Sequence, residues 1–187
     1  MNKRDAICDA ALELFAEQGI ENTTIREIAA RADASEGALY RHFDGKADLA
    51  SWLHDRCADE LRGRLSAVAE DAASPAAHLE ALVRGLFEFY VSRPASCTYL
   101  LSGKGEGEAS GPAAPIQSFA EALRAAPTGE GGPSATLRAG WILAMVQRSV
   151  RFLKAGTLDV SDRTVIDQTV AAALRLANLQ ATADDTA

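Results

Sequence analysis

Apolar residues recur at helical spacing along most of this chain, and alternating runs of β-branched residues bounded by turns are absent. In residues 4–18 the apolar positions fall at i, i+4, i+7 and i+8, which is one face of a helix. Gly19 follows, where a left-handed C-cap favours glycine. The sequence therefore predicts an all-α fold. Similar patterns predict helices over 24–31, 36–42, 46–70, 78–92, 116–126, 134–155 and 162–179, and a short helix ending at Leu101.

The predicted helix over residues 134–155 differs from the others because it has two apolar stripes. A helix that is apolar on two sides is expected to be buried on two sides. The predicted helix over 162–179 is similarly apolar. The first stripe comprises Leu137, Trp141, Met145 and Phe152, and the second comprises Ile142, Val146, Val150 and Leu153.

Two segments show no apolar period. Residues 102–115 are rich in glycine, serine, alanine and proline, and residues 127–133 begin and end with proline. A loop as long as the first segment is usually mobile or functional when it lies inside a compact domain. We predict a loop for the first segment and a flexible joint for the second.

The composition is that of a folded chain with an acidic balance. Of the 187 residues, 48% are apolar and 24% are charged, and the formal net charge is -7 at pH 7. This charge argues against a general nucleic-acid coat protein, which needs a broad basic surface. Acidic residues also outnumber basic ones within the first 50 positions. DNA binding would therefore depend on where the basic groups are placed, and not on their number.

Sequence signals for a catalytic centre, a metal or a cofactor are missing. The chain has no glycine-rich phosphate loop, no H-E-x-x-H and no G-x-S-x-G, and its three histidines lack metal-ligand spacing. Cys8, Cys57 and Cys97 are widely spaced, which favours reduced thiols. No apolar run is long enough to span a bilayer, and acidic residues interrupt any apolar core of a signal peptide. We expect a cytoplasmic protein that is not an enzyme and has no metal, cofactor or membrane partner.

The first three predicted helices follow one another closely. The turn between the second and the third is only about four residues long, which is typical of a helix-turn-helix. Thr24 and Glu27 have the spacing of a capping box at the start of the second helix. Ser35 is a favourable N-cap for the third helix. In this motif the third helix is the one that lies in the major groove of DNA.

The residue types in the third predicted helix suit this task. Gly37 and Ala38 are small, which permits a close approach to base edges, and Ala38 could meet a thymine methyl group. Tyr40, Arg41 and His42 carry donors that could reach phosphates or bases. For Tyr40, His42 and Lys46 the alternative is that they are ordinary surface residues of a helical bundle, and His42 could pack or cap instead.

Further candidate contacts flank this helix. Lys46 would lie in the first turn of the fourth helix, where its ammonium and the helix N-terminus both attract a phosphate. Thr24 and Arg26 lie near the start of the second helix and could flank the same groove. Glu36 could accept from cytosine N4, but its position suits a solvated acid at a helix start equally well. The candidate DNA-binding residues are thus Thr24, Arg26, Ser35, Glu36, Gly37, Ala38, Tyr40, Arg41, His42 and Lys46.

Taken together, these residues resemble the DNA-binding region of the tetracycline-repressor (TetR) family of transcriptional regulators. The resemblance runs from Ile7 to Leu49, about a quarter of the chain. Its combined spacing is specific, although each dipeptide alone would be a weak signal. The residues that carry it are Ala10, Ala11, Leu14, Phe15, Gly19, Thr23, Thr24, Ile28, Ala29, Ser35, Gly37, Leu39, Tyr40, His42, Phe43, Lys46 and Leu49.

Two places depart from the usual pattern of that family. Residues 32–35 read Ala-Asp-Ala-Ser, where the family often has Ala-Gly-Val-Ser. Asp33 can adopt left-handed backbone geometry, although less easily than glycine, and Ala34 is a smaller apolar anchor than valine. Gly45 precedes Lys46 where a serine cap is common, and glycine is an acceptable cap.

The resemblance implies a homodimeric repressor that binds a palindromic operator and leaves it when a small molecule binds. It implies a helix-turn-helix domain at residues 1–46 and a helical ligand-binding and dimerisation domain at 47–187. The helices near 134–155 and 162–179 would form the dimer interface. Core packing is the alternative for each aromatic pocket candidate, and ion pairing across a dimer is the alternative for Arg148. The candidate pocket residues are Phe87, Tyr90, Tyr99, Phe119, Trp141, Met145 and Arg148.

A different class of function also fits the acidic first 50 residues. The chain could be a helical scaffold or interaction protein that keeps the fold and has lost operator recognition. Binding to fragments of its own promoter region separates the two hypotheses, because failure to bind at low salt would favour the scaffold.

Overall fold

The computed structural model describes residues 2–69, 72–101, 119, 134–158 and 163–178. These ranges form eight helices and no strand, which confirms the predicted all-α fold. Except for Phe119, the helix predicted over 116–126 lies outside the described residues, as do the loop over 102–115 and the joint over 127–133. The helices are α1 (Lys3–Gln18), α2 (Ile25–Arg31), α3 (Glu36–Tyr40), α4 (Lys46–Ala69), α5 (Pro75–Ser92), α6 (Pro94–Leu101), α7 (Ala135–Lys154) and α8 (Arg163–Leu176).

The start of α5 is the clearest difference between the predicted and observed helix bounds. The sequence predicts a break at Ser74 and Pro75, and a helix beginning at residue 78, whereas the helix begins at Pro75. Proline is favoured in the first helical position because the N–H that it lacks has no helical partner there. The Ser74 hydroxyl caps the turn by accepting from the Ala77 N–H at 3.1 Å.

The described residues group into two compact units. One draws on Met1–Asp59 and Arg93–Ser110, and the other on Glu60–Ser92 and Gly111–Ala187. These units are defined by packing alone, so the domain boundary predicted between residues 46 and 47 stays a prediction.

The core of the first unit surrounds α1, which packs against α2, α3 and α6. Ile7, Ile28 and Leu39 are completely buried there. Burying a large apolar side chain in this way stabilises the fold by about 1.5–3 kcal/mol. The ring of Tyr99 in α6 lies 5.7 Å from that of Phe15, which fixes α6 against α1. The helices of the predicted DNA-binding motif are therefore held by one continuous apolar core.

The turn between α2 and α3 depends on left-handed backbone geometry at Asp33. Its φ of 46° confirms that an aspartate takes the place that glycine often occupies. The Ala34 N–H closes the turn by donating to the carbonyl oxygen of Ala29 at 2.9 Å. The Lys3 ammonium donates to the carbonyl oxygen of Asp33. The start of α1 thus supports the turn that sets α3 against α2.

In the second unit, α5 packs against both α7 and α8. Arg84 joins α5 to α8, because its guanidinium contacts Glu80 Oε1 and Asp167 Oδ1, each at 2.8 Å. None of the eight described helices is both long enough and apolar enough to cross a membrane.

Candidate nucleic-acid interface

The start of α2 is closed by the capping box that the sequence predicts. The Glu27 N–H donates to Thr24 Oγ1 at 3.2 Å, and the Thr24 N–H donates to Glu27 Oε2 at 2.7 Å. The hydrogen bonds from Thr24 hold the pKa of the Glu27 carboxyl below its usual range. The Thr24 hydroxyl also donates to Glu27 Oε2 at 2.7 Å. Thr24 is exposed next to Arg26, but its hydroxyl proton is already used within the chain.

Most of the predicted DNA-binding residues lie on the exposed surface of α3 and the residues that follow it. Ser35 caps the helix, with its Oγ accepting from the Ala38 N–H at 3.2 Å. Tyr40 leaves 54% of its surface exposed. Neither Arg41 nor His42 forms an ion pair within the described ranges. The exposed members of the predicted set here are Ser35, Glu36, Gly37, Tyr40, Arg41 and His42.

Gly37 lies at an open position on this surface. A Cβ added there would meet only Ser35 Oγ, at 4.0 Å. Packing within the described part of the chain therefore gives no reason for a glycine at this position. Open space in front of the backbone is what a close approach to base edges requires.

Ala38 does not belong to the exposed surface. Only 3% of it is exposed, and it packs into the core of the first unit beside Leu39. Its small size fits the packing of α3 against α1. This burial favours a packing role for Ala38 over the predicted contact of its methyl group with a thymine methyl.

Lys46 is held by the loop between α1 and α2. Its Nζ donates to the carbonyl oxygens of Ile20 at 2.7 Å and Thr23 at 2.8 Å, and lies 3.5 Å from that of Glu21. An ammonium has three donors, and these three carbonyls can engage all of them. Lys46 therefore positions the loop that leads into α2, which differs from the direct phosphate contact that the sequence predicts.

A basic and aromatic cluster in the first unit is missing from the sequence predictions. The Arg4 guanidinium carbon lies 4.3 Å from the ring centre of Trp52 and 5.4 Å from that of Phe43. The Arg56 guanidinium carbon lies 5.3 Å from the same Trp52 ring. The i, i+4 spacing of Trp52 and Arg56 on α4 is a sequence signal for part of this cluster. Its partner Arg4 lies on α1, so spacing along one helix could not reveal it.

Tyr99, one of the predicted pocket residues, lies in the core of the first unit. It is 1% exposed, and its hydroxyl donates to the carbonyl oxygen of Ala50 at 2.8 Å. Its ring packs against Phe15. For Tyr99, this packing supports the alternative to a ligand pocket, which is core packing.

The other pocket candidates differ in burial. Phe87 and Phe119 are completely buried, whereas Trp141 is 46% exposed. Met145 is partly buried and Arg148 is exposed, with its guanidinium carbon 4.8 Å from the ring centre of Phe152. Tyr90 is half-buried on α5. The structure thus separates the buried aromatic residues from the exposed face of α7.

The second unit has a surface groove of about 290 Å³ between α4 and α5. None of the predicted pocket residues lines it. At the groove, the Arg64 guanidinium donates to Ser92 Oγ at 2.6 Å and to Glu60 Oε1 at 3.0 Å. The groove is lined by Arg64, Ala67, Val68, Gly85, Glu88 and Phe89.

The two predicted stripes of α7 have different environments. Ile142 and Val146 of the second stripe are completely buried. In the first stripe, Leu137 is 48% exposed, and Phe152 is 37% exposed at the other end of the helix. On α8, Leu176 is also 39% exposed. Large apolar side chains aligned along one helix face are typical of a protein–protein interface.

The N-terminal segment of the chain matches a known protein-family model. Residues 7–51 match the family model described as "Bacterial regulatory proteins, tetR family". The matched range contains α2, α3 and the turn between them, together with most of α1 and the start of α4.

A curated relative extends the similarity beyond that segment. The chain is 36% identical over 86 residues to the HTH-type transcriptional repressor KstR2 of Rhodococcus jostii (strain RHA1). The alignment covers 46% of this chain and 42% of that repressor. The chain thus matches less than half of the length of this curated relative.

Solved structures share the fold over almost the whole chain. The MbdR regulator from Azoarcus sp. CIB has a TM-score of 0.75 at 18% identity, covering 92% of this chain and 97% of that one. A TetR-like transcriptional regulator from Rhodococcus sp. RHA1 has a TM-score of 0.74 at 19% identity, covering 92% and 94%. At such identities, the likeness establishes the shared fold.

Proposed function

We propose that this chain, which belongs to the TetR family of bacterial regulatory proteins, is a dimeric transcriptional repressor. Each subunit would bind one half of a palindromic operator through α2 and α3, and a small-molecule effector would release the DNA. This function places the protein in the cytoplasm, where its DNA target lies. The named repressor among its relatives supports the proposal, as does the match to the family model.

The observation that carries this proposal is the exposed surface of α3. It combines an open glycine, Gly37, with exposed donors at Tyr40 and Arg41, on a helix whose start is capped by Ser35. In a helix-turn-helix, such donors reach base edges and phosphates in the major groove. Arg26 on α2 would add a phosphate contact. Ala38 and Lys46 would support this surface from within rather than touch DNA.

The proposed dimer rests on the exposed apolar stripe of α7. Leu137, Trp141 and Phe152 would be covered by the same helix of a second copy, with Leu176 of α8 at the edge. A symmetric dimer buries the same patch on both subunits, so one self-complementary stripe is sufficient. Two helix-turn-helix units in one dimer would then match the two half-sites of a palindrome.

The effector would bind the second unit. Its buried aromatic side chains, Phe87 and Phe119, are candidates for the walls of an apolar site, together with the half-buried Tyr90. The groove between α4 and α5 contains none of these residues. Binding experiments with candidate effectors would identify the effector and locate its site.

Selection of bound sequences from a random duplex library tests the DNA-binding proposal. We expect the full chain to enrich a palindrome with half-site centres one helical turn apart, about 10–10.5 base pairs, or a multiple of that. The matched control is a Tyr40→Ala, Arg41→Ala variant, which keeps the fold and should enrich no sequence. If the unmodified chain enriches no sequence at low salt, the repressor proposal is wrong and the scaffold hypothesis gains support.

A further inference from the structure

We propose that Arg4 and Arg56, which both lie against the ring of Trp52, bind a backbone phosphate of duplex DNA outside the helix-turn-helix. This inference rests on the DNA-binding function proposed above. It adds a second contact surface to each subunit, formed by the start of α1 and the middle of α4. The cluster of Arg4, Phe43, Trp52 and Arg56 is called the tryptophan clamp below.

The tryptophan clamp brings two guanidinium groups to one aromatic ring. Their carbons lie 4.3 Å and 5.3 Å from the ring centre of Trp52. Phe43 packs against the same indole with its ring centre 5.7 Å away, and Arg4 also lies 5.4 Å from the Phe43 ring. A cation held against an aromatic face is restricted in its motion before any ligand arrives.

The two arginines have no carboxylate partner in the part of the chain that the structure describes. The ion pairs found there involve other basic residues, namely Lys3, Arg31, His54, Arg64 and Arg84. Asp5 and Asp9 share α1 with Arg4, yet neither is within ion-pair distance of a guanidinium in the clamp. Two positive charges are thus held within about 10 Å, one Debye length at 0.1 M salt, where they repel each other. An anion bound between them would relieve that repulsion.

Guanidinium chemistry favours a phosphate as this anion. Stacking on a ring uses the face of the guanidinium and leaves the N–H groups at its edge available. Those N–H groups form a planar fork that matches two phosphate oxygens. Because both guanidinium carbons lie within 5.3 Å of the ring centre of Trp52, we infer that N–H groups of Arg4 and Arg56 bind one phosphate group together.

The tryptophan clamp adjoins the end of α3. The Phe43 N–H donates to the carbonyl oxygen of Leu39 at 3.0 Å, which joins the clamp directly to the last turn of that helix. At the other side of the clamp, Lys3 precedes Arg4 and contacts the turn at Asp33. A helix that enters a major groove about 12 Å wide has a phosphate strand along each edge. The clamp is therefore placed to meet the strand beyond the end of α3.

The salt dependence of DNA binding tests the inference. Affinity of the full chain for a random-sequence 30-base-pair duplex, and for the selected operator, is measured between 50 and 200 mM salt. For Arg4→Gln and Arg56→Gln, which share one phosphate, we expect each slope of log K against log salt to become shallower, and the slope of the double variant to become shallower by about 0.9. Between 50 and 200 mM salt, the double variant should therefore lose about three- to fourfold less affinity than the unmodified chain. Arg62→Gln is the matched control, an exposed arginine of α4 in the second unit, and it should leave the slope unchanged.

Variants that keep the charge separate a phosphate contact from a folding defect. Arg4→Lys and Arg56→Lys should retain the slope of the unmodified chain, because an ammonium still displaces a counterion. If the glutamine variants retain that slope while the unmodified chain binds DNA, the clamp proposal is overturned and the repressor proposal stands. If the unmodified chain binds neither duplex at 50 mM salt, both proposals are overturned.

Discussion

Helices α3 and α7 both leave one face exposed, but the two faces differ in chemistry. The exposed positions of α3 are small or polar, from Glu36 and Gly37 to Tyr40. The exposed stripe of α7 contains large apolar side chains such as Trp141, which is 46% exposed. The side of each helix that faces its own unit is nevertheless well packed, with Leu39 and Ile142 completely buried.

This difference indicates which kind of partner each face would bind. A hydrated, charged duplex is met by donors and open backbone, which α3 provides without exposing a large apolar surface. A second protein chain is met by apolar side chains, whose removal from water drives association. We therefore expect α3 to bind DNA and α7 to bind a second subunit, and substitutions in either helix test these expectations.

The largest expected effect comes from a charge placed in the stripe of α7. Trp141→Glu would leave a carboxylate without a partner inside the interface and remove the large aromatic side chain. We expect the dimer dissociation constant to rise by about 100-fold or more. Sedimentation velocity at micromolar protein should then show monomers. Thr136→Glu is the matched control, because Thr136 is exposed on α7 outside this stripe, and that variant should remain dimeric.

Two basic residues of the first unit, Lys46 and Arg26, should differ in their effects on stability and on DNA binding. Lys46→Met removes the ammonium that binds the Ile20 and Thr23 carbonyls, so the free energy of unfolding should fall by about 1–3 kcal/mol. The salt slope of DNA binding should not change. Arg26 is exposed, and Arg26→Met should do the opposite: its slope falls by about 0.9 at nearly unchanged stability. A shallower slope for Lys46→Met at unchanged stability would restore the phosphate contact predicted from the sequence.

Local features of the site could be predicted from the sequence because their partners are close in the chain. The capping box of Thr24 and Glu27 spans a single helical turn. The left-handed geometry of Asp33 follows from the short connection between two helices. In each case, the residue type and a spacing of a few residues determine the interaction.

Features that depend on distant residues could not be predicted in this way. Lys46 binds carbonyls in a loop before α2, and backbone carbonyls carry no sequence signature. The residue type predicts a role for the small side chain of Ala38 at the DNA surface, but it does not show which side of that short helix α1 covers. The sequence predicts Tyr99 in a ligand pocket, with core packing as the alternative, and its contacts with Phe15 and Ala50 are visible only in the fold.

For Gly37→Ala on α3, we expect a smaller effect, which is a loss of DNA affinity at nearly unchanged stability. The added methyl has only Ser35 Oγ within 4.0 Å, so the free energy of unfolding should stay within about 1 kcal/mol of its original value. DNA affinity should fall by about tenfold, because the methyl occupies the space through which the backbone would approach the bases. Gly63→Ala on α4 is the control, since a Cβ there meets no atom within 4 Å. Equal DNA affinity for the Gly37→Ala variant and the unmodified chain would contradict a close approach at this position.

The smallest expected effect is a loss of stability at high pH, and it comes from two buried thiols. Burial raises the pKa of Cys8 to about 11 and that of Cys97 to about 12. In the unfolded chain a thiol loses its proton near its ordinary pKa, whereas the folded chain still holds that proton. Stability is therefore complete below that ordinary pKa and falls as the pH rises above it, by about 1 kcal/mol per thiol at pH 10. Urea unfolding at pH 8 and pH 10 measures this loss, and it should be smaller for Cys97→Ala, while an unchanged loss would show that the Cys97 thiol is not the group responsible.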